Sequence, residues 1–145
     1  KGQLVQFTEG KLINAVRASI SIPIAFHSVP SDEDYLIDGG VLERIPIHQL
    51  KDMGADVIIA VDALGPPAET FEFSPMHGIM NMIERTYLLM DWQGWQHRAQ
   101  EADLMITPDQ GARSPFVFKD NEYSIEQGRL AAVAALPQIR QLLES

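Results

Sequence analysis

The chain has 145 residues, 46% hydrophobic and 21% charged, with 11 basic and 20 acidic side chains and a net charge of −9. A length typical of one domain, with this apolar content, excludes a disordered, collagen-like or coiled-coil chain. The absence of cysteine excludes disulfides, thiolate catalysis and zinc-thiolate or iron–sulfur sites, and fits a reducing compartment. The negative balance argues against a nucleic-acid surface, which needs many phosphate contacts. No run approaches the ~18 apolar residues of a membrane-spanning helix, and the N-terminus lacks the basic-then-apolar order of a signal peptide. The charge is local: residues 31–72 hold ten acidic and two basic side chains, residues 1–30 one and three, and residues 73–145 nine and six.

In chain order, Leu12, Ile13 and Val16 fall at helical spacing after Gly10, and Pro23 stops the pattern, which predicts a helix over about 10–20. Residues 30–34 form a turn-prone acidic loop, and Tyr35-Leu36-Ile37 reads as a brief strand cut off by Asp38-Gly39-Gly40. Pro46 suits a first helical position and Gly54 a left-handed stop, so a helix is expected over about 46–53. Residues 57–61, Val-Ile-Ile-Ala-Val, are continuously apolar and β-branched, as in a parallel strand covered on both faces. Strand, helix and strand in that order predict a crossover unit. A second helix follows through Ile79, Met82, Ile83, Thr86, Tyr87 and Met90. Leu104-Met105-Ile106 is a short strand closed by Pro108, and Phe116-Val117-Phe118 reads as a further strand. Ser124 and Gln127 have capping-box spacing and open a terminal helix, which Pro137 should kink or divide. No internal repeat, low-complexity tract or long linker interrupts the chain, and the class is α/β in one piece.

Asp38 is the strongest candidate for chemistry. A carboxylate where a short strand ends, followed by two glycines, sits on a tight turn whose backbone can pass close to another group, and glycine permits positive φ. Such an Asp can act as a general base toward a nearby hydroxyl. Asp-Gly is also among the commonest plain turn dipeptides, so the dipeptide alone leaves both readings open.

The surrounding blocks carry a resemblance. Ala15-Val16-Arg17-Ala18-Ser19, Ile22-Pro23, Phe26, Val29, Tyr35-Leu36-Ile37-Asp38-Gly39-Gly40-Val41, Ile45-Pro46-Ile47 and Gly54-Ala55-Asp56-Val57-Ile58-Ile59-Ala60-Val61-Asp62 together look like the C-terminal half of a patatin-like phospholipase. Downstream, Ala102-Asp103-Leu104-Met105-Ile106 with Pro108, and Gly128 with the Ala-rich run to Ile139, resemble the tail of the bacterial members. The resemblance implies a three-layer α/β/α sandwich with a largely parallel central sheet, and a serine acyl hydrolase acting on lipid or other carboxylic esters through a Ser–Asp dyad. The dyad Asp falls on Asp38, with Gly39 and Gly40 as motif support. It would take the proton from the serine hydroxyl during attack and return it to the leaving alcohol, after which water repeats the cycle on the acyl-enzyme. No cofactor or metal is implied, and the expected location is cytoplasmic, with peripheral membrane contact.

One departure from the family pattern is large. The nucleophile of such enzymes lies in a Gly-x-Ser-x-Gly elbow, and Ser19, Ser21, Ser28, Ser31, Ser74, Ser114, Ser124 and Ser145 all lack the flanking glycines. The glycine-rich oxyanion loop is absent as well. The expectation is therefore that residues 1–145 are the C-terminal portion of one patatin-like hydrolase domain, supplying the base and inactive alone. A companion N-terminal segment or a homo-oligomer would then cover the apolar edge and face of the sheet. The competing expectation is a non-catalytic truncated relative serving subunit assembly or lipid and ligand binding.

Other candidates are weaker. Leu42-Glu43-Arg44 stands where plant-type members have asparagines; Glu43 and Arg44 read as a solvated pair, a local ion pair or part of a substrate mouth. His27, His48, His77 and His97 show no metal-ligand spacing and read as isolated imidazoles. Asp32, Glu33, Asp34 and Asp38 lack the pattern of a calcium loop. Asp62 could reach the ligand side of the sheet or anchor the following loop. Residues 71–95 concentrate Phe71, Phe73, Met76, Met80, Met82, Tyr87, Met90, Trp92 and Trp95, a set that reads as core packing or as a lipid-contact or dimer surface.

Overall fold

A computed structural model of the chain describes residues 2–23, 25–32, 34–66, 78–96, 98–111 and 121–144. They fall into two compact units, divided between Arg44 and Ile45. The expected strand at Phe116-Val117-Phe118 lies outside the described residues, as do Glu33, Phe71, Phe73, Met76, His77 and His97.

The first unit opens with α1 (Leu12–Ser19), close to the helix that the spacing predicts. Its apolar residues do not form the buried face: Leu12, Ile13 and Val16 are exposed, and Ala18 is buried instead. Arg17 lies in the last turn, where a cation complements the helix dipole. Two short strands follow, β1 (Val29–Pro30) and β2 (Tyr35–Leu36), paired antiparallel with Val29 opposite Leu36 and Pro30 opposite Tyr35. The acidic loop is their turn. The Ser31 N–H donates to the Asp34 carbonyl at 2.8 Å, and the Asp34 N–H donates back to Ser31 Oγ at 3.3 Å. The order of elements predicts Tyr35-Leu36-Ile37 as the first strand of a parallel crossover; the observed partner is instead the neighbouring Val29–Pro30 segment. A Ser-Asp-rich turn of this length brings the two segments together antiparallel with little loop entropy to overcome.

The second unit contains α2 (Ile47–Asp52), β3 (Ile59–Val61), α3 (Gly78–Gln96), β4 (Leu104–Ile106) and α4 (Asn121–Glu144). Gly54 ends α2 at φ +84°, with its N–H donating to the Lys51 carbonyl at 2.9 Å and the Ala55 N–H to the Leu50 carbonyl at 3.0 Å, a left-handed stop of the expected kind. β3 and β4 pair in parallel, Ile59 with Leu104, Ala60 with Met105 and Val61 with Ile106. The parallel strand–helix–strand unit therefore runs through β3, α3 and β4. Asp103 extends the ladder: its carboxylate accepts the Ile58 N–H at 2.8 Å and its own N–H donates to the Ile58 carbonyl at 3.0 Å.

The core of this unit is Ile47, Ile58 and Ala60, with Ile45, Ala102 and Met105 packed on it. The run 57–61 is not covered on both faces as its composition predicts. Ile58 and Ala60 are 3% and 5% exposed, while Ile59 and Val61 are 38% and 52% exposed. α4 starts three residues before Ser124 and runs unbroken past Pro137. Helices packed with a parallel strand pair make the fold α/β.

Candidate functional site

Asp38 lies two residues beyond the end of β2 and caps a 3-10 turn, Gly39–Val41. Its Oδ1 accepts the Gly40 N–H at 2.6 Å, and the Val41 N–H donates to its carbonyl at 3.3 Å. The sequence therefore places an acidic turn correctly, but glycine serves it in another way than expected. Positive φ occurs at Gly54 and Gly65, not at Gly39 or Gly40. At Gly39 a Cβ would meet no atom within 4 Å, which leaves open approach beside the carboxylate.

The carboxylate is half-buried, and two influences oppose each other. Loss of water raises its pKa above the ordinary Asp value, and the Gly40 amide, which favours the charged form, lowers it; the first prevails. A carboxylate with one oxygen fixed and a raised proton affinity is suited to accept a proton from a nearby hydroxyl.

The Asp38 N–H donates to the carbonyl of Ser21 at 3.0 Å. Ser21 is 0% exposed and follows the last turn of α1. Its hydroxyl donates to the Arg17 carbonyl at 2.7 Å and accepts from Arg17 Nη1, while Arg17 Nη2 donates to the His27 carbonyl at 3.2 Å. The guanidinium carbon also lies 6.0 Å from the centre of the Phe26 ring, at the outer edge of a cation–π contact. Nothing in the residues around Ser21 announces this contact set, since in the sequence Ser21 is one more serine without an elbow. The available signal is an Arg and a Ser four residues apart across a helix end.

The remaining candidates separate by position. Asp62 anchors a loop: buried at 1% exposure, its Oδ1 accepts the Leu64 N–H at 3.2 Å and the Gly65 N–H at 3.0 Å, with Gly65 at φ +65°. Glu43 and Arg44 are half-buried and so are not a solvated pair. His48 Nε2 sits 3.2 Å from Glu101, which Lys51 also meets at 2.9 Å. Among the described residues no three His, Cys, Asp or Glu side chains form a metal-ligand group. Trp95 is buried and stacks on Trp92 with ring centres 5.2 Å apart, whereas Ile79, Met82 and Met90 on α3 are exposed.

Residues 2–51, which include Arg17, Ser21 and Asp38, are similar to the patatin-like phospholipase family. An uncharacterized NTE family protein of Mycobacterium tuberculosis is 44% identical over 69 residues, which are 46% of this chain and 19% of that protein, and one of Mycobacterium bovis matches equally. A second uncharacterized NTE family protein of Mycobacterium tuberculosis is 28% identical over 160 residues, covering 93% of this chain and 27% of its own length. The chain is similar to bacterial NTE family proteins and spans 19% to 27% of the length of these relatives. No helix among the described residues is long and apolar enough to cross a membrane.

Proposed function

We propose that this chain is the base-bearing part of an acyl hydrolase for lipids or other carboxylic esters, with Asp38 as the partner of a serine nucleophile. Asp38 takes the proton of the serine hydroxyl as that oxygen attacks the ester carbonyl, and delivers it to the leaving alcohol. It then takes a proton from the water that attacks the acyl-enzyme. The observation that carries this reading is the Asp38 carboxylate itself, half-buried, tied through one oxygen to the Gly40 amide, and lying within the residues similar to patatin-like phospholipases.

No serine of the chain stands in an elbow, so the nucleophile and the oxyanion donors would come from sequence outside these 145 residues, and residues 1–145 would be inactive alone. In this reading the chain is the rear part of one hydrolase domain, a three-layer α/β/α sandwich with a largely parallel sheet. The exposed Ile59 and Val61 of β3 support it, because a companion N-terminal segment or a second copy would cover that face. The parent protein would act in the cytoplasm, with peripheral contact to the membrane that holds its substrate.

The deciding experiment is turnover of p-nitrophenyl acyl esters and phospholipid by the full-length parent, compared with Asp38→Asn. Loss of turnover with retained fold supports the assignment; an Asp38→Asn protein as active as wild type overturns it. A non-catalytic role in assembly or lipid binding is favoured by one observation, the exposed Ile79, Met82 and Met90 on α3. A parent without an elbow serine and without ester turnover would leave that reading in its place.

A further inference from the structure

The geometry points to Arg17 and Ser21 as positioning residues for Asp38: together they clasp the end of α1 and fix the Ser21 carbonyl that holds the Asp38 amide. This inference rests on Asp38 acting as the base.

Ser21 is fully buried, and each of its polar groups has a partner. Its N–H donates to the Ala18 carbonyl at 3.1 Å, its hydroxyl donates to the Arg17 carbonyl and accepts from the Arg17 guanidinium, and its carbonyl accepts the Asp38 N–H. Burying a serine without such partners would be costly, so this set makes the residue a rigid joint. Arg17 extends the joint by holding the His27 carbonyl, just before β1. The guanidinium thus connects the end of α1, the entry to the hairpin and, through Ser21, the residue that leaves the hairpin.

The Gly40 bond orients the carboxylate only within its own turn. β2 stops at Leu36, and the Ser21 carbonyl ties the Asp38 backbone to the segment that follows α1. Without the clasp the turn can drift by a fraction of its own width, and a displacement of ~1 Å at a reacting group costs about 10²-fold in rate. The drift also admits water to a carboxylate whose proton affinity is raised by its exclusion.

The test compares Ser21→Ala, Ser21→Thr, Arg17→Met and Asp38→Asn with wild type in the full-length protein, measuring kcat, KM and the pH profile of p-nitrophenyl ester hydrolysis together with the folded fraction by circular dichroism. In Ser21→Ala and Arg17→Met, kcat is expected to fall about 10- to 100-fold with KM within about 2-fold. The acid limb moves to lower pH, and Ser21→Thr, which keeps the hydroxyl, recovers most of kcat. Wild-type kcat and an unmoved acid limb in both variants, with Asp38→Asn inactive, overturn the positioning role and leave the base assignment standing. An active Asp38→Asn overturns the base assignment instead. A kcat loss matched by lost folded fraction, with no movement of the acid limb, also overturns positioning. If Ser21→Ala does not fold, Arg17→Met carries the same readings, since its side chain is only half-buried.

Discussion

The amide of Asp38 donates to the carbonyl oxygen of Ser21 at 3.0 Å, which ties the acidic turn after β2 to the segment just beyond α1. Seventeen positions separate the two in the chain, so the bond is a product of the fold of the first unit, and it brings together two blocks of the patatin-like segment.

If Asp38 is the base, Asp38→Asn in the full-length parent lowers ester turnover by about 10²- to 10⁴-fold, the range that a positioned general base contributes. The fold survives, because an asparagine Oδ1 can still accept the Gly40 amide that the carboxylate accepts now. Turnover and circular dichroism on the same preparation check both halves.

The raised proton affinity of Asp38 gives a pH dependence of defined sign. The folded state binds the proton more tightly than the unfolded chain, so the stability that this group contributes is fully present below the ordinary Asp value of about 3.9 and is lost as pH rises through the higher folded value. Asp38→Asn removes this dependence. Urea midpoints measured from pH 3 to 7 should therefore show the variant gaining on wild type as pH rises, and a constant difference would contradict the assignment.

Ile47 is 1% exposed and sits in the core with Ile58 and Ala60. Ile47→Ala should cost about 2–5 kcal/mol, as buried large-to-small substitutions do. Chemical denaturation gives the value directly, and a loss under about 1 kcal/mol would show that the site collapses around the smaller side chain.

Asp62→Ala removes the acceptor for the Leu64 and Gly65 amides at the end of β3. Leaving those donors without it should cost about 1–3 kcal/mol, and Asp62→Asn, which keeps an oxygen acceptor, should cost less. Equal losses in the two variants would mean that the charge, and not the acceptor, holds the loop.

On α3, Trp95→Ala should destabilise by about 3–5 kcal/mol, because the ring is buried and stacked on Trp92. Ile79→Ser, on a residue 76% exposed, should change stability by no more than about 0.5 kcal/mol. Any effect of Ile79→Ser on vesicle partition or light-scattering mass would therefore report a docking face and not a folding defect.

The local elements were legible in the sequence. Helical spacing and stop residues placed α1 and α2, and Gly54 takes the left-handed conformation that its position demanded. α3 and the short strand β4 also fall where periodicity and Pro108 put them. Partners were less legible. The two-residue strand Val29–Pro30 is too short to carry a period, and nothing in Tyr35-Leu36-Ile37 states whether it pairs with its neighbour or across a helix. Likewise, the uniform apolar run at 57–61 could not say that Ile59 and Val61 face outward.

What the sequence alone determined is an α/β chain with an acidic turn at Asp38, because turn residues, periodicity and the blocks that resemble patatin-like phospholipases are local properties. What only the tertiary structure decided is how Asp38 is held: the carboxylate on the Gly40 amide, the backbone on Ser21, and Ser21 on Arg17. Hydrogen bonds and desolvation act between atoms that folding brings together, and neither is encoded in the spacing of residues along the chain.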